Sequence, residues 1–247
     1  ITMANTIWGY ANTALYTLGS LCIQLPLALG LAVLLESPGI RGRAIYRVLL
    51  FSPSLVGVVF AAMMFGLILQ ARSGLLNRAL HALTAPLATL SPSLRWSVDF
   101  DWLSQHVMWG MVIASLWMYV GFNMVYFSAA LQNVRQDLRE AATLDGAGVA
   151  ARFRHVVWPA IRPVASFVVL LSVVGSFQLF ELPYIMLDVA GRPNDQGLTL
   201  IMYLYRNGFD SGDLGYASAI GWVLGVILIA CSAVERLLSR GEAEGAP

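Results

Sequence analysis

Apolar residues fall into five long runs, at about Ala11–Leu35, Val48–Gln70, His106–Leu131, Pro163–Leu187 and Leu214–Arg236. A helix needs about 20 residues to cross a hydrocarbon core roughly 30 Å thick. Every run reaches that length, so the pattern predicts five membrane-spanning helices. Ser37-Pro38-Gly39 closes the first of them, because proline and glycine stop a helix. Polar residues gather between the runs, chiefly at 71–105, 132–162 and 188–213. The expected fold is an all-α polytopic bundle, with residues 1–247 forming a single transmembrane domain.

Composition sharpens this picture. Of 247 residues, 58% are hydrophobic and 12% charged, whereas soluble domains carry about 25% charged residues. Such a chain cannot cover its surface with polar groups. The segments between runs are too short to form a separate catalytic domain of about 100 residues. A net charge of +1 excludes a nucleic-acid partner bound through phosphate neutralisation. Cys22 and Cys231 lie inside apolar runs and read as packing residues, and His81, His106 and His155 are scattered without metal-ligand spacing. Neither a metal nor a resident cofactor is expected.

Arginine sets the expected orientation, since positively charged loops stay on the cytoplasmic side. Arg41, Arg43, Arg47, Arg135, Arg139, Arg152, Arg154, Arg162, Arg236 and Arg240 fall on one set of segments; Arg72, Arg78, Arg95, Arg192 and Arg206 fall on the alternate set. This bias puts the 132–162 loop and the C-terminus inside the cell, and 71–105 and 188–213 outside. Trp96, Trp102 and Trp158 suit interfacial positions, where an amphipathic ring is wetted at one end. No basic n-region and apolar h-region open the chain at Ile1–Tyr10, so no cleavable signal peptide is read there.

The loop after the third run holds the most information. Asp137 followed by Glu140 is an aspartate form of the capping box and predicts a short helix from about Asp137 to Gly146. A second helix is expected from Val149 to Trp158, ended by Pro159. Leu138, Ala141, Ala142 and Leu144 give the first helix a small apolar surface among charges. One use for it is to lie on lipid headgroups with arginine facing phosphate. Another follows from the spacing: Glu140-Ala141-Ala142, three residues, Gly146, nine residues, Val156, one residue, Trp158-Pro159. This resembles the EAA loop of binding-protein-dependent ABC importer permeases, with Val156 and Trp158 in place of the usual Ile and Leu.

The resemblance extends over nearly the whole chain and points to the carbohydrate branch, of the maltose and glycerol-phosphate permease type. Asn12-Thr13, Phe51-Ser52-Pro53, Gly74-Leu75-Leu76-Asn77, Ser176-Phe177-Gln178-Leu179-Phe180-Glu181, Tyr203-Leu204-Tyr205-Arg206 and Leu214-Gly215-Tyr216-Ala217 carry it. It implies a permease subunit in a bacterial or archaeal cytoplasmic membrane, with a further N-terminal span preceding Ile1. It also implies that the EAA loop couples the spans to a separate ATPase. Glu140, Ala141, Ala142, Asp145, Gly146 and Pro159 are the coupling residues by that resemblance. The implied partners are a second related permease, an ATPase dimer that binds the ATP, an extracytoplasmic solute-binding protein and a sugar, with membrane lipid around the bundle.

A sugar exchanges water for hydrogen-bonding groups and aromatic faces. Tyr119, Asn123 and Tyr126 share one face of the third span, and Phe177, Glu181 and Tyr184 repeat that spacing in the fourth, with Gln178 beside them. A carboxylate inside a span costs about 2.5–3.5 kcal/mol, so Glu181 is expected to face a partner or water. These groups could instead hydrogen-bond neighbouring helices. Pro53 and Pro183 are candidate kinks, and Asp195, Asp210 and Asp213 could join an outer surface with 74–105. Two rival functions remain: a membrane enzyme, for which no HExxH or Gly-x-Ser-x-Gly occurs, and a secondary transporter or channel without an ATPase. No Gly-x4-Gly-Lys-Ser/Thr is present, so the chain itself is not expected to be an enzyme.

Overall fold

The computed structural model describes residues 3–37, 39–70, 74–88, 102–103, 106–189 and 197–243. Eleven helices occur among them: α1 Met3–Glu36, α2 Arg43–Phe51, α3 Val58–Ile68, α4 Leu75–Ala88, α5 Val107–Gln132, α6 Gln136–Leu144, α7 Val149–Arg152, α8 Trp158–Phe177, α9 Glu181–Val189, α10 Leu200–Tyr205 and α11 Leu214–Ala243. A 3-10 turn at Ser52–Leu55 follows α2, and π-helical turns occupy Phe153–Val157 and Arg206–Asp210.

Four stretches are long and apolar enough to cross a membrane: Trp8–Glu36, Val107–Gln132, Val149–Phe177 and Leu214–Leu237. The second apolar run is not one straight helix. Its two parts, Arg43–Leu55 and Val58–Ile68, meet at 91°. The break falls at Val56 and Gly57; Pro53 precedes it, in the 3-10 turn that ends the first part, where its missing N–H interrupts the helical ladder. Ser52 Oγ donates to the Leu49 carbonyl at 3.0 Å and Ser54 Oγ to that of Phe51 at 2.7 Å, so the freed backbone groups find side-chain partners.

The fourth run also divides. α8 ends at Phe177, and α9 begins afresh at Glu181. Phe177, Glu181 and Tyr184 therefore do not share one helical face. Pro183 sits in the first turn of α9, where the N–H it lacks would have no partner within the helix, so it does not kink a span. Nor does Pro159 end a helix. The chain stays helical from Val149 to Phe177, and a wide turn in which the Trp158 N–H reaches the Phe153 carbonyl accommodates the proline at the second position of α8. Cys22 is exposed in this chain and does not pack inside it; Cys231 is half-buried.

Two compact units form. One comprises Ile1–Leu18, Val56–Ser115 and Ser176–Trp222; the other comprises Gly19–Leu55, Leu116–Gly175 and Val223–Pro247. In the first unit α3 packs on α9, with Ala61, Ala62 and Phe65 buried on one helix and Leu182, Met186 and Leu187 on the other. Small residues let the two backbones approach closely. Asn12 Nδ2 donates to the Leu198 carbonyl at 3.1 Å, and the Leu200 N–H donates to Thr13 Oγ1 at 3.0 Å. Thr199 caps α10 by accepting the Met202 N–H and donates to the Leu179 carbonyl at 2.8 Å.

The core of the second unit joins three helices. Leu25, Ala28, Ala32 and Leu35 of α1 meet Met124, Phe127, Ala130 and Leu131 of α5 and Ile161, Ala165 and Val168 of α8. Gly121 brings α5 against the end of α2: a Cβ there would lie 1.7 Å from the Leu50 carbonyl oxygen. Only glycine permits that approach.

Candidate functional site

The 133–162 loop is folded, not slack. Arg135, with extended backbone, occupies the N-cap position of α6. Its guanidinium reaches Asp137, with Nε to Oδ1 at 3.2 Å. Glu140 accepts a hydrogen bond from Gln136 Nε2 at 2.7 Å. The reciprocal capping box expected from Asp137 and Glu140 does not form, because α6 already begins at Gln136 and Asp137 stands inside its first turn, not at the N-cap. Hydrogen bonding to Arg135 holds the Asp137 carboxyl below its ordinary range, and the positive end of α6 favours an acid in that first turn.

The helix stops as the spacing predicts. Gly146 is left-handed at φ 74, its N–H bonds the Thr143 carbonyl at 3.1 Å, and the Ala147 N–H bonds the Ala142 carbonyl at 3.0 Å. This is the paired-bond ending known as the Schellman motif. Asp145 is the C-cap residue, donating its N–H to the Ala141 carbonyl at 2.9 Å. Ala142 thus supplies both a small side chain and a terminal acceptor.

One side of this loop is anchored. Arg139 Nη2 donates to the Leu131 carbonyl at 2.8 Å, and Arg152 Nη1 donates to Thr143 Oγ1 at 2.8 Å, which in turn donates to the Arg139 carbonyl. A cavity of about 200 Å³ lies there, lined by Val33, Ser37, Arg139 and Phe153 among others. The other side is bare: Leu144 is 89% exposed and Leu138 47%, and Glu140 and Ala141 are exposed with them. Pro159 is exposed at the start of α8. Apolar groups presented together from a polar loop mark an interaction surface.

Sequence reasoning missed Glu36. At the end of α1 this carboxylate accepts from Arg47 of α2, its ion-pair partner, and from Gln132 Nε2 of α5 at 3.1 Å. The available signal was an acid placed at the last residue of an apolar run, with arginine in the next segment.

The two sets of candidate sugar contacts lie in different units. On α5, Asn123 is buried while Tyr119 and Tyr126 are half-buried. Tyr126 meets Phe122 edge-on at 5.2 Å and Phe167 at 6.3 Å between ring centroids, so much of its ring is occupied by packing. In the other unit, Gln178 is exposed in the break after α8 and Glu181 at the first position of α9, and Phe177 is half-buried at the end of α8. Glu181 stands in the first turn of α9 rather than within a continuous span. That position is favourable for a carboxylate. Tyr184 stacks on Phe180 at 5.1 Å, and Tyr205 joins both rings and Phe209. Phe180, Tyr205 and Phe209 are not among the sugar contacts read from the sequence, because they converge from separate elements. Trp102 Nε1 donates to Asn77 Oδ1 at 3.0 Å, and Asp210 and Asp213 are exposed. Trp96 and Asp195 lie outside the described residues.

Comparison with known proteins follows the same outline. The arabinooligosaccharides transport system permease protein AraP of Halalkalibacterium halodurans is 34% identical over 238 residues, covering 95% of this chain and 71% of that protein. The lactose transport system permease protein LacF of Rhizobium radiobacter is 29% identical over 220 residues, covering 89% of this chain and 70% of that protein. A bacterial alginate ABC transporter, solved in complex with an alginate pentasaccharide-bound periplasmic protein, shares the fold at TM-score 0.80 and 19% identity, covering 95% of this chain and 78% of that one. Residues 24–241 match one family, from within the first apolar run through the other four and the EAA-like loop. The chain belongs to the binding-protein-dependent transport system inner membrane components.

Proposed function

We propose that this chain is one permease subunit of an ATP-driven sugar importer and that α6 is its coupling element. The carrying observation is the bare apolar face of α6, with Leu138, Ala141 and Leu144 exposed on a helix whose other side is tied to α5 and α7. A surface held rigidly on one side and uncovered on the other is built to receive a partner. Ala141 and Ala142 allow close approach, Glu140 offers a carboxylate to a basic group, and Asp145 and Gly146 set the turn that follows. Pro159 marks where the loop passes into α8. The partner is an ATPase dimer, because a chain without Gly-x4-Gly-Lys-Ser/Thr cannot hydrolyse ATP by that route.

In this reading the 132–162 loop and the C-terminus face the cytoplasm. A second related permease completes the pathway, and an external solute-binding protein delivers the sugar. The names of AraP and LacF support a carbohydrate substrate, and the alginate transporter complex supports delivery by a periplasmic protein. Family membership removes the ATP-independent transporter or channel as a rival. Tyr119, Asn123, Tyr126, Phe177, Gln178, Glu181 and Tyr184 line the route, with Glu181 and Gln178 accepting sugar hydroxyls. ATPase closure against α6 would tilt the permeases and alternate their access.

Two measurements on the reconstituted complex test this. Ala141→Arg should release the ATPase on purification, and retention of the ATPase with full transport would overturn the coupling role. Glu181→Ala should lower uptake of radiolabelled sugar while the complex stays assembled. Unchanged kinetics across a panel of mono- and disaccharides would remove Glu181 from the route.

A further inference from the structure

The second-unit parts of α1 and α5 run side by side and parallel. Leu25, Ala28 and Ala32 share a core with Met124, Phe127 and Leu131, and Gln132 Nε2 bonds Glu36 where both helices end. Away from that end each part carries one amide, Gln24 on α1 and Asn123 on α5. At about 1.5 Å per residue, Asn123 stands about 14 Å from the shared end and Gln24 about 18 Å. Half of a hydrocarbon core is about 15 Å, so both amides lie near the bilayer midplane.

Both are nearly enclosed, Asn123 at 6% exposure and Gln24 at 5%. Ser20 Oγ donates to Gln24 Oε1 at 3.0 Å and so orients that amide. Among the described residues, however, no acceptor takes the Gln24 Nε2 protons, and the Asn123 amide has no hydrogen-bond partner. Neither nitrogen is sealed off, in contrast to Ser128 Oγ, which is buried without a partner. Buried polar groups are normally hydrogen-bonded, and hydrocarbon offers nothing in place of water. Groups so enclosed in the single chain admit a hydroxyl or a water molecule, but not the face of a neighbouring helix.

We propose that Gln24 and Asn123 read hydroxyl groups of a neutral sugar as it crosses the midplane. Asn123 donates to one hydroxyl and accepts from another. Gln24, whose oxygen is already engaged by Ser20, donates to a further sugar oxygen. Charge selects the class of sugar. α5 holds no acid or base, and α1 holds only Glu36, at its last residue. A uronate or a phosphate ester would find amides at this depth but no cation on either helix, and an uncompensated charge there is costly. The inference rests on the importer reading and adds to it the residue Gln24 and the neutral character of the solute.

The test uses the full importer complex with two shape-matched variants, Gln24→Met and Asn123→Leu. Thermal midpoints of the sugar-free complex should stay level or rise, because an unpaired amide is replaced by an apolar group. A lower midpoint would show that the amides bond within the assembly and would overturn the proposal. In reconstituted vesicles, uptake is followed with radiolabelled lactose, maltose and arabinobiose, and with digalacturonate and glycerol phosphate. The unmodified complex should import from the neutral set alone, and each variant should lower kcat/KM for the imported sugar by about tenfold, the loss of roughly one hydrogen bond. Unchanged kinetics in both variants, import of an acidic compound, or no import from the neutral set would each sink it. The ATPase should co-purify with both variants, which separates failure here from failure of the importer reading.

Discussion

Gln132, the last residue of α5, donates from Nε2 to Glu36 Oε1, the last residue of α1, at 3.1 Å across 96 positions of sequence. The same oxygen accepts from Arg47 of α2. One carboxylate therefore ties the ends of α1 and α5 to the middle of α2, close to where Arg139 fastens α6 to the Leu131 carbonyl. The link matters for the proposed coupling role, in which α6 transmits force only if the helices tied to it move with it.

Glu36→Ala should loosen this junction. Arg47 Nε is buried without a hydrogen-bond partner, so the guanidinium relies on Glu36 to offset its charge. Truncating one side of such a charge-assisted bond costs about 1–3 kcal/mol, and partial exposure of the pair, 32% and 17%, places the loss towards the lower figure. The expected result is a lower thermal midpoint of the purified complex, with Glu36→Gln intermediate because it keeps an acceptor. Equal midpoints for all three proteins would show that the junction carries no weight.

Gly121→Ala should be harsher. The added Cβ would meet the Leu50 carbonyl oxygen at 1.7 Å, and a backbone atom cannot rotate away as a side chain can. Overpacking of a core costs about 1–3 kcal/mol, and this contact belongs at the upper end or beyond it. Gly225→Ala is the control, since nothing lies within 4 Å of its Cβ position and alanine favours a helix. Circular-dichroism melting of the two variants should separate them clearly; similar midpoints would mean that α5 shifts freely away from α2.

Much of this fold is legible as apolar runs, because a span must be both long and uninterrupted by charge. Three boundaries escape that logic. The corner after Leu55 and the break after Phe177 fall inside apolar runs, and the helix continues through Pro159 although the segment around it is polar; backbone bonding, not hydropathy, sets all three. Hydropathy counts transfer energy, whereas these features depend on where an N–H or carbonyl finds its partner. In the candidate site, Gly146 was readable because left-handed backbone selects glycine locally. Glu36 and the rings of Phe180, Tyr205 and Phe209 grouped with Tyr184 were not, since they are brought together from separate elements.

Substitutions at Gly146 should form a graded series. Its φ of 74 strains any residue with a Cβ, by about 1 kcal/mol for alanine and less for asparagine. No atom lies within 4 Å of the added Cβ, so the strain is conformational alone. Proline is worst: it cannot reach that φ, and it lacks the N–H that bonds Thr143. Substrate-stimulated ATP hydrolysis should fall in the order glycine, asparagine, alanine, proline. Normal stimulated hydrolysis with Gly146→Pro would contradict a coupling role for this turn.

Arg135→Gln should move the titration of Asp137. The hydrogen bond from Arg135 is the largest cause holding that carboxyl below its ordinary range. A depressed carboxyl favours the folded α6 terminus wherever the group is ionised in both states, above the ordinary carboxylate range. The preference fades as pH falls through the depressed value, when the folded form also takes up its proton. Removing Arg135 should therefore shift the Asp137 midpoint upward, and the fraying of α6 on acidification should begin at higher pH. Carboxyl-carbon NMR of labelled aspartate would follow the midpoint directly. Because both side chains are exposed, added salt should shrink the difference between wild type and variant; a midpoint unmoved by Arg135→Gln would show that Arg135 does not set the charge at the start of this helix.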